Sequence, residues 1–505
     1  MQVSGASNVQ YSVKAFHDNL GFQKYPFNVC TAENERPYAS KIFVHPENYD
    51  SVKEAFDDHL SIIVRGNRGT GKTALLSDLQ QHIDSNHIYC IIEDYSVLPL
   101  QPTTHDYYDL IITNLVSSLF NRLFEEKKRL KKLDKEDKLF LSAMLSQYTT
   151  SVTKRELTRK IEKVQLSGVK RFFKDKINLV RAVLNYGVTI GTNIVNDIIR
   201  NYYSYLPPVT EDQIHDILPK IQFDAETNFN AIDSSYTTLL QLCAVIENLG
   251  YEHPVIFFDK FDEDSRMEND AEIIATFISP LLVDNKLLEN EQIQLIISVW
   301  EVPFDRITGV VRTQKHYCPE LSWPIPYLKD VLNKRLNVFS NSKVQSFEDL
   351  FDSSLTKETS DQIFNLSNGN PRDLWHILDY IIKAQYSIDP LQPRLQLEAV
   401  QKGIYNFVTQ FNFYEYYPKK PNAKANTMDV YGYIKHLLKL TSIEFTKNQL
   451  NDCAKTGSST SNYVVGMEHI GLVSNTQKKH NGGVIYRIND PKVVYAIENG
   501  IEISR

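Results

Sequence analysis

Residues 66–73 read Gly-Asn-Arg-Gly-Thr-Gly-Lys-Thr, so Gly66, Gly71, Lys72 and Thr73 fit the phosphate-loop spacing G-x-x-x-x-G-K-[ST]. That spacing serves to hold a nucleotide's phosphates. Glycines let backbone N–H groups wrap an anion, and the N-terminus of a following helix adds a favourable dipole. The expected binding loop runs Gly66, Asn67, Arg68, Gly69, Thr70, Gly71, Lys72, Thr73 and Ala74. Lys72 is placed to reach the β and γ phosphates of ATP, and the Thr73 hydroxyl to ligate Mg²⁺.

A second stretch carries complementary chemistry. Residues 254–263, Pro-Val-Ile-Phe-Phe-Asp-Lys-Phe-Asp-Glu, pair an apolar run with three carboxylates. Asp259 stands at the carboxyl end of the run, where open α/β sheets bind their ligands. There it can hold the Mg²⁺ shell opposite Thr73, and either Asp262 or Glu263 can polarise an attacking water. Ser298 ends another apolar run, Gln292–Val299, as a polar sensor near the γ-phosphate or as an ordinary buried serine.

These groups need a parallel sheet to position them. Ile62-Ile63-Val64 is the strand into the loop, and Ala74 to His82 the helix out of it. His87–Glu93 reads as a second strand, Val255–Phe258 as a buried central one and Gln292–Val299 as a further one. Helices are expected at Asp106–Phe124, Ser235–Leu249 and Ala271–Leu287. Strand, helix, strand at this spacing gives an α/β class, a P-loop parallel sheet. The N-terminal lead-in, 1–47, either lines an adenine pocket or only braces the core. The core spans 48–310, with a helical insertion at about 125–235.

Beyond the sheet the chain turns helical. A small lid domain is expected at 311–390. Within it Gly369-Asn370-Pro371 ends one helix and starts the next, with Pro371 in the first turn. Arg372 follows, able to reach phosphates from the side or to stand as a surface arginine. Residues 391–427 read as a linker or extended crossing segment, with Pro418 and Pro421 among lysines. Residues 428–505 give the element order of a winged helix. Its third helix begins without Arg or Lys, while the hairpin tip carries Lys478, Lys479 and His480. That favours protein contact or nucleotide gating over reading DNA.

Composition bounds the rest. With 505 residues, 42% hydrophobic and 23% charged, the chain is an ordinary globular one of two or three domains. Its net charge of −7 gives no global pull toward nucleic acid. Residues 154–181 run against that balance, with ten basic and three acidic side chains around Phe172 and Phe173. Such a run either holds nucleic acid or forms a solvated helix face. The five cysteines lack C-x-x-C spacing, which argues against a structural zinc site and for the reducing cytoplasm. No secretion signal is legible, and polar residues in 177–199 argue against a membrane span.

With these motifs in hand, the chain resembles the STAND branch of AAA+-related signalling ATPases. It also resembles the origin-recognition type of AAA+ protein, with its order of ATPase core, helical lid and winged helix. Asp259-Lys260-Phe261-Asp262-Glu263 is similar to the D-G-x-D-E end of the NACHT-type Walker B, with Lys260 in the glycine's place. Gly369-Asn370-Pro371 is similar to the G-x-P motif whose proline packs near adenine, and Arg372 to the sensor arginine of origin-recognition relatives. Residues 486–491, Tyr-Arg-Ile-Asn-Asp-Pro, resemble the strand end that closes the winged helix in archaeal-type STAND proteins. Where plant and animal relatives carry His-Asp against ADP, this chain has Asn489-Asp490, which departs from a histidine lock.

The resemblance implies an ATP- and Mg²⁺-dependent ATPase, slow and regulatory, held closed by ADP and opened by ATP into a homo-oligomer. It implies a neighbour-supplied arginine, for which Arg306 and Arg312 are candidates, and a separate effector protein. It further implies a prokaryotic setting and a role in defence against phage. A competing reading is a DNA-binding initiator or remodelling ATPase, with nucleic acid held by 154–181 or the winged helix. A third is a scaffold that binds nucleotide only structurally; the intact Lys72, Thr73, Asp259 and Asp262/Glu263 set weighs against it.

Overall fold

Four apolar runs pair in parallel, three of them buried almost throughout and the run 89–92, at the edge, on one face only. The computed structural model describes residues 12–28, 31–148, 192–217, 229–419, 428–480 and 482–504. Its main sheet joins β1 (Ile62–Gly66), β2 (Tyr89–Ile92), β3 (Val255–Phe258) and β4 (Gln294–Trp300) in the order β1-β4-β3-β2, all parallel. Side chains alternate between faces, as a period of two requires. Ile256 and Phe258 pack under the long helix Thr104–Glu125, while Val255 and Phe257 pack against Leu75, Leu76 and Leu79 of the P-loop helix, Lys72–Gln81.

The sheet runs past the expected core boundary at 310. The segment Tyr317–Leu321 lies beside β1: Ile63 N–H donates to Tyr317 O at 3.0 Å, and Leu321 N–H to Arg65 O at 2.8 Å. Its polar and proline-containing sequence hides the strand, because only its backbone joins the ladder.

The described parts of the insertion, Lys135–Tyr148, Thr192–Tyr202 and Glu211–Ile217, are helical. Val195 and Ile199 are buried in the core formed on the Ile256 face of the sheet. The basic run 154–181 lies outside the described residues, as does most of 177–199. Among the described residues, no helix is long and apolar enough to cross a membrane, and Cys90, Cys243, Cys318 and Cys453 form no disulfide.

The rest of the chain builds a second body around one continuous apolar core. It takes in Phe16, Phe22 and Phe27 from the lead-in, the helices Ile325–Ser340 and Pro371–Ile388, and the C-terminal unit as far as Ile503. The expected linker at 391–427 is corrected here. It holds the helix Leu397–Gln410, whose Val400, Ile404, Phe407 and Val408 face this core. A Cβ on Gly403 would meet Ile381 Cα at 2.5 Å, so the two helices touch backbone to backbone there.

The C-terminal unit follows the predicted order of helix, strand, helix, helix and hairpin. The strands β5 (Glu444–Thr446), β6 (Val473–His480) and β7 (Gly483–Ile488) form an antiparallel sheet, β5-β7-β6. Lys492, in the last helix Pro491–Glu498, is fully buried. Its ammonium lies 3.4 Å from Asp373 of the helix Pro371–Ile388 and 3.7 Å from Asp490, over the rings of Phe411 and Tyr416. The helix Pro371–Ile388 and the C-terminal unit are thus joined both by this buried charge set and by the shared apolar core.

Candidate functional site

The phosphate loop is shaped by two left-handed glycines. Gly69 has φ 83° and Gly71 φ 92°, a region that side chains avoid. Gly71 caps the P-loop helix, whose first residue is Lys72. The half-buried Lys72 donates its ammonium to the carbonyls of Gly66 and Asn67 at 2.9 Å each. Burial pulls its pKa down against the attraction of Asp262 and Asp259. Gly66 and Asn67 thus sit behind the loop, while Arg68 to Ala74 face a cavity of about 680 Å³.

Asp259 closes the metal side. Its carboxylate accepts from Thr73 Oγ1 at 2.7 Å and from Ser298 Oγ. Burial pushes its pKa up, opposed by those two hydrogen bonds and by Lys72. Ser298 is buried and does not line the cavity, so it orients Asp259 rather than meeting a phosphate. The oxygen pair of Thr73 and Asp259 suits Mg²⁺, a hard cation that takes oxygen ligands and keeps several waters. Such an ion would neutralise phosphate charge, and Thr73 and Asp259 are the residues that would hold it.

The turn after β3 explains Lys260. Its φ is 62°, a left-handed conformation that glycine takes freely. Lys260 instead adopts it with its ammonium 3.1 Å from Glu93 at the end of β2. Beyond it the two candidate water activators part company. Asp262 receives Arg68 Nε on its carboxylate and Arg68 Nη2 on its backbone carbonyl at 3.1 Å. Burial pushes the Asp262 carboxyl up, but Arg68 and Lys72 outweigh it and hold the group below the usual carboxylate range. A carboxylate so engaged is a weak base for water. Glu263 is exposed on the cavity wall.

The second body reaches over the loop. Trp323 Nε1 donates to Thr70 O at 2.7 Å, and Asn370 Nδ2 to Arg68 O at 2.6 Å. Asn370 also caps the helix Pro371–Ile388 through Arg372 N–H at 2.9 Å. Arg68 Nη1 donates to Tyr414 O at 3.3 Å, and Asn269 Nδ2 to Tyr414 O at 3.0 Å. Pro371 and Arg372 line the cavity, and Arg372 stands 3.9 Å from Glu415. The lead-in supplies the apolar side with Ala39, Ile42 and Phe43, facing Val331 and Trp375. It is also a brace: Arg335 donates to Pro26 O at 2.7 Å and pairs with Glu35 at 2.6 Å.

One of the two candidate finger arginines drops out. Arg306 is no free finger: only 6% exposed, it pairs with Glu272, and its Nη1 lies 2.9 Å from His469 Nε2 of the C-terminal unit. Arg312 is exposed. Asn489 and Asp490 do not line the cavity. Asp490 caps the last helix and accepts from Tyr417 Oη at 2.9 Å, while Asn489 donates to Gly471 O at 3.0 Å. Sequence reasoning missed Trp323, Trp375 and Asn269. The one available signal was rarity, since the chain has three tryptophans, and the third, Trp300, stacks under Arg68 at 4.1 Å.

No protein-family model and no curated protein matches the chain. Among solved structures it is similar to the Walker-type ATPase paby2304 of Pyrococcus abyssi, at 9% identity and TM-score 0.39, covering 94% of this chain and 99% of that one. It is similar to the ORC2 protein of Aeropyrum pernix in its ADPNP–ADP complexes, at 10% identity and TM-score 0.37, covering 95% and 96%. A third is Cdc6p of Pyrobaculum aerophilum, at 10% identity and TM-score 0.28, covering 96% and 99%. All three scores lie below 0.5.

Proposed function

We propose that the chain is a nucleotide-controlled regulatory ATPase of the AAA+/STAND kind, binding ATP or ADP with Mg²⁺ and changing its assembly with the nucleotide. The observation that carries this reading is the double grip on the phosphate loop. The loop belongs to the sheet, yet Trp323 and Asn370 of the second body hydrogen-bond its Thr70 and Arg68 carbonyls. A ligand in the cavity touches both bodies, so binding and their relative position are linked. Lys72, Thr73 and Asp259 hold phosphate and metal, and Pro371, with Ile42 and Phe43, offers an apolar seat for a base. Hydrolysis is slow because Asp262 is tied to Arg68, leaving Glu263 to activate water, with Arg372 on the phosphate side.

Opening separates Arg306 from His469 and the loop from the lid, and exposes surfaces for a homo-oligomer. An effector in another chain reads that state. A DNA-binding role draws, among the described residues, on the exposed hairpin tip of Lys478, Lys479 and His480. Native mass measured with ADP, ATP and a non-hydrolysable analogue tests the switch. Expected is a larger species with the triphosphates; one mass in all three conditions refutes it. Lys72→Ala is expected to abolish ATP binding, and retained tight binding would remove the phosphate-loop reading itself. A place in cytoplasmic anti-phage defence rests on the family resemblance. It is tested by plating phage on cells carrying wild type or Lys72→Ala, with protection expected only from wild type.

A further inference from the structure

Parallel strands begin on one edge, so residues just ahead of β1, β2 and β3 gather at the end of the sheet opposite the phosphate loop. Here they are His59, His87 and His253. Each offers a ring nitrogen, and the three nitrogens lie within 4.8 Å of one another. The His59 and His253 rings are 4.0 Å apart by centroid, and those of His87 and His253 5.1 Å.

We propose that this cluster is a binding site for a divalent transition-metal ion of the zinc or cobalt class, held by His59, His87 and His253. Three imidazoles suit those metals, and three histidines with an open fourth position make a tetrahedral site. The surroundings are those of ligands already oriented. His87 Nδ1 lies 2.8 Å from Asp84 Oδ1, a carboxylate partner that fixes the ring. His87 Nε2 is 3.1 Å from Glu252 Oε2, which puts a carboxylate at hand for the fourth position.

His253 is the second, independent observation. Its Nε2 is buried and has no hydrogen-bond partner. Gln294 stands against the same ring. Gln294 is itself fixed by donating Nε2 to Phe56 O at 2.9 Å and Leu60 O at 3.0 Å. A buried imidazole nitrogen without a partner is costly, and a metal ion supplies one. Tetrahedral ligation at Zn–N of ~2.0–2.1 Å needs nitrogens roughly 3.3 Å apart. The exposed His59 ring, on a backbone with φ 60°, is the member free to swing inward.

The full chain, stripped with chelator and kept free of nucleotide, is titrated with Co²⁺ alone and followed by visible absorption. One equivalent is expected to give intense tetrahedral bands, and Zn²⁺ to bleach them. His59→Asn is the safe variant, since the residue is exposed and asparagine accepts positive φ. It and His253→Gln are each expected to weaken Co²⁺ binding by at least about a hundredfold, with nucleotide binding retained as proof of folding. Absence of tetrahedral bands at millimolar Co²⁺, or equal bands in His59→Asn, would overturn the assignment.

Discussion

Arg68→Ala is the perturbation that reads the coupling of the phosphate loop to the turn after β3 most directly. Arg68 gives Nε to the Asp262 carboxylate, Nη2 to Asp262 O and Nη1 to Tyr414 O, and its guanidinium stacks on Trp300. The paired side chains are 17% and 13% exposed. Removing one partner of a fully buried pair costs roughly 3–5 kcal/mol, and residual solvent access lowers that here to about 3 kcal/mol. A double-mutant cycle with Asp262→Ala is expected to return about 2 kcal/mol as the coupling of the pair. Urea unfolding followed by circular dichroism and tryptophan fluorescence measures it. A coupling below about 0.5 kcal/mol would refute the pairing.

The pH dependence of the same variant has a definite sign. Asp262 is held below its unfolded value, so its contribution is full above about pH 4 and fades as acid protonates the folded carboxylate. The stability gap between wild type and Arg68→Ala therefore closes in acid. Turnover separates the two candidate water activators. If freeing Asp262 raises ATPase rate, Asp262 is the base; if Glu263→Gln abolishes turnover in both backgrounds, Glu263 is.

Gly69→Ala places a Cβ 2.7 Å from Asn370 Oδ1 and 2.9 Å from Arg372 Cβ at φ 83°, at a conformational cost of about 1–2 kcal/mol. It is expected to push the lid off the loop, seen as faster proteolysis and weaker nucleotide binding. Burial pushes Glu301 up to about 7 despite Arg65 at 2.7 Å. The folded state then holds a proton that the unfolded chain releases near pH 4.5, so stability falls as pH climbs from there to about 7. Melting of Glu301→Gln at pH 5 and pH 8 is expected to lack that fall. Lys492→Met leaves Asp373, whose pKa burial already pushes up to about 6, without its cation. A loss of about 3–5 kcal/mol is expected in denaturant unfolding, with partial recovery in the Asp373→Asn double variant.

Local patterns determined what the sequence could show by itself. Glycine spacing around Lys72, an apolar run ending in Asp259 and Asn-Pro at a helix start are signals carried by a few adjacent residues. Each has the backbone expected of it, down to the positive φ at Gly69, Gly71 and Lys260. The helix Leu397–Gln410 was equally legible in its spacing of Val400, Ile404 and Phe407. It was obscured by the prolines and lysines that follow it. Tertiary structure alone decided the pairings between distant residues. Arg68 meets Asp262 from 194 positions away, and Asn370 meets Arg68 O from 302. Arg306 and Arg312 look alike in sequence, yet one is sealed against Glu272 and His469 and the other is exposed. Parallel strands brought three scattered histidines to one edge. Such contacts depend on where the strands and the second body come to rest, and long-range closure leaves no periodicity in the chain.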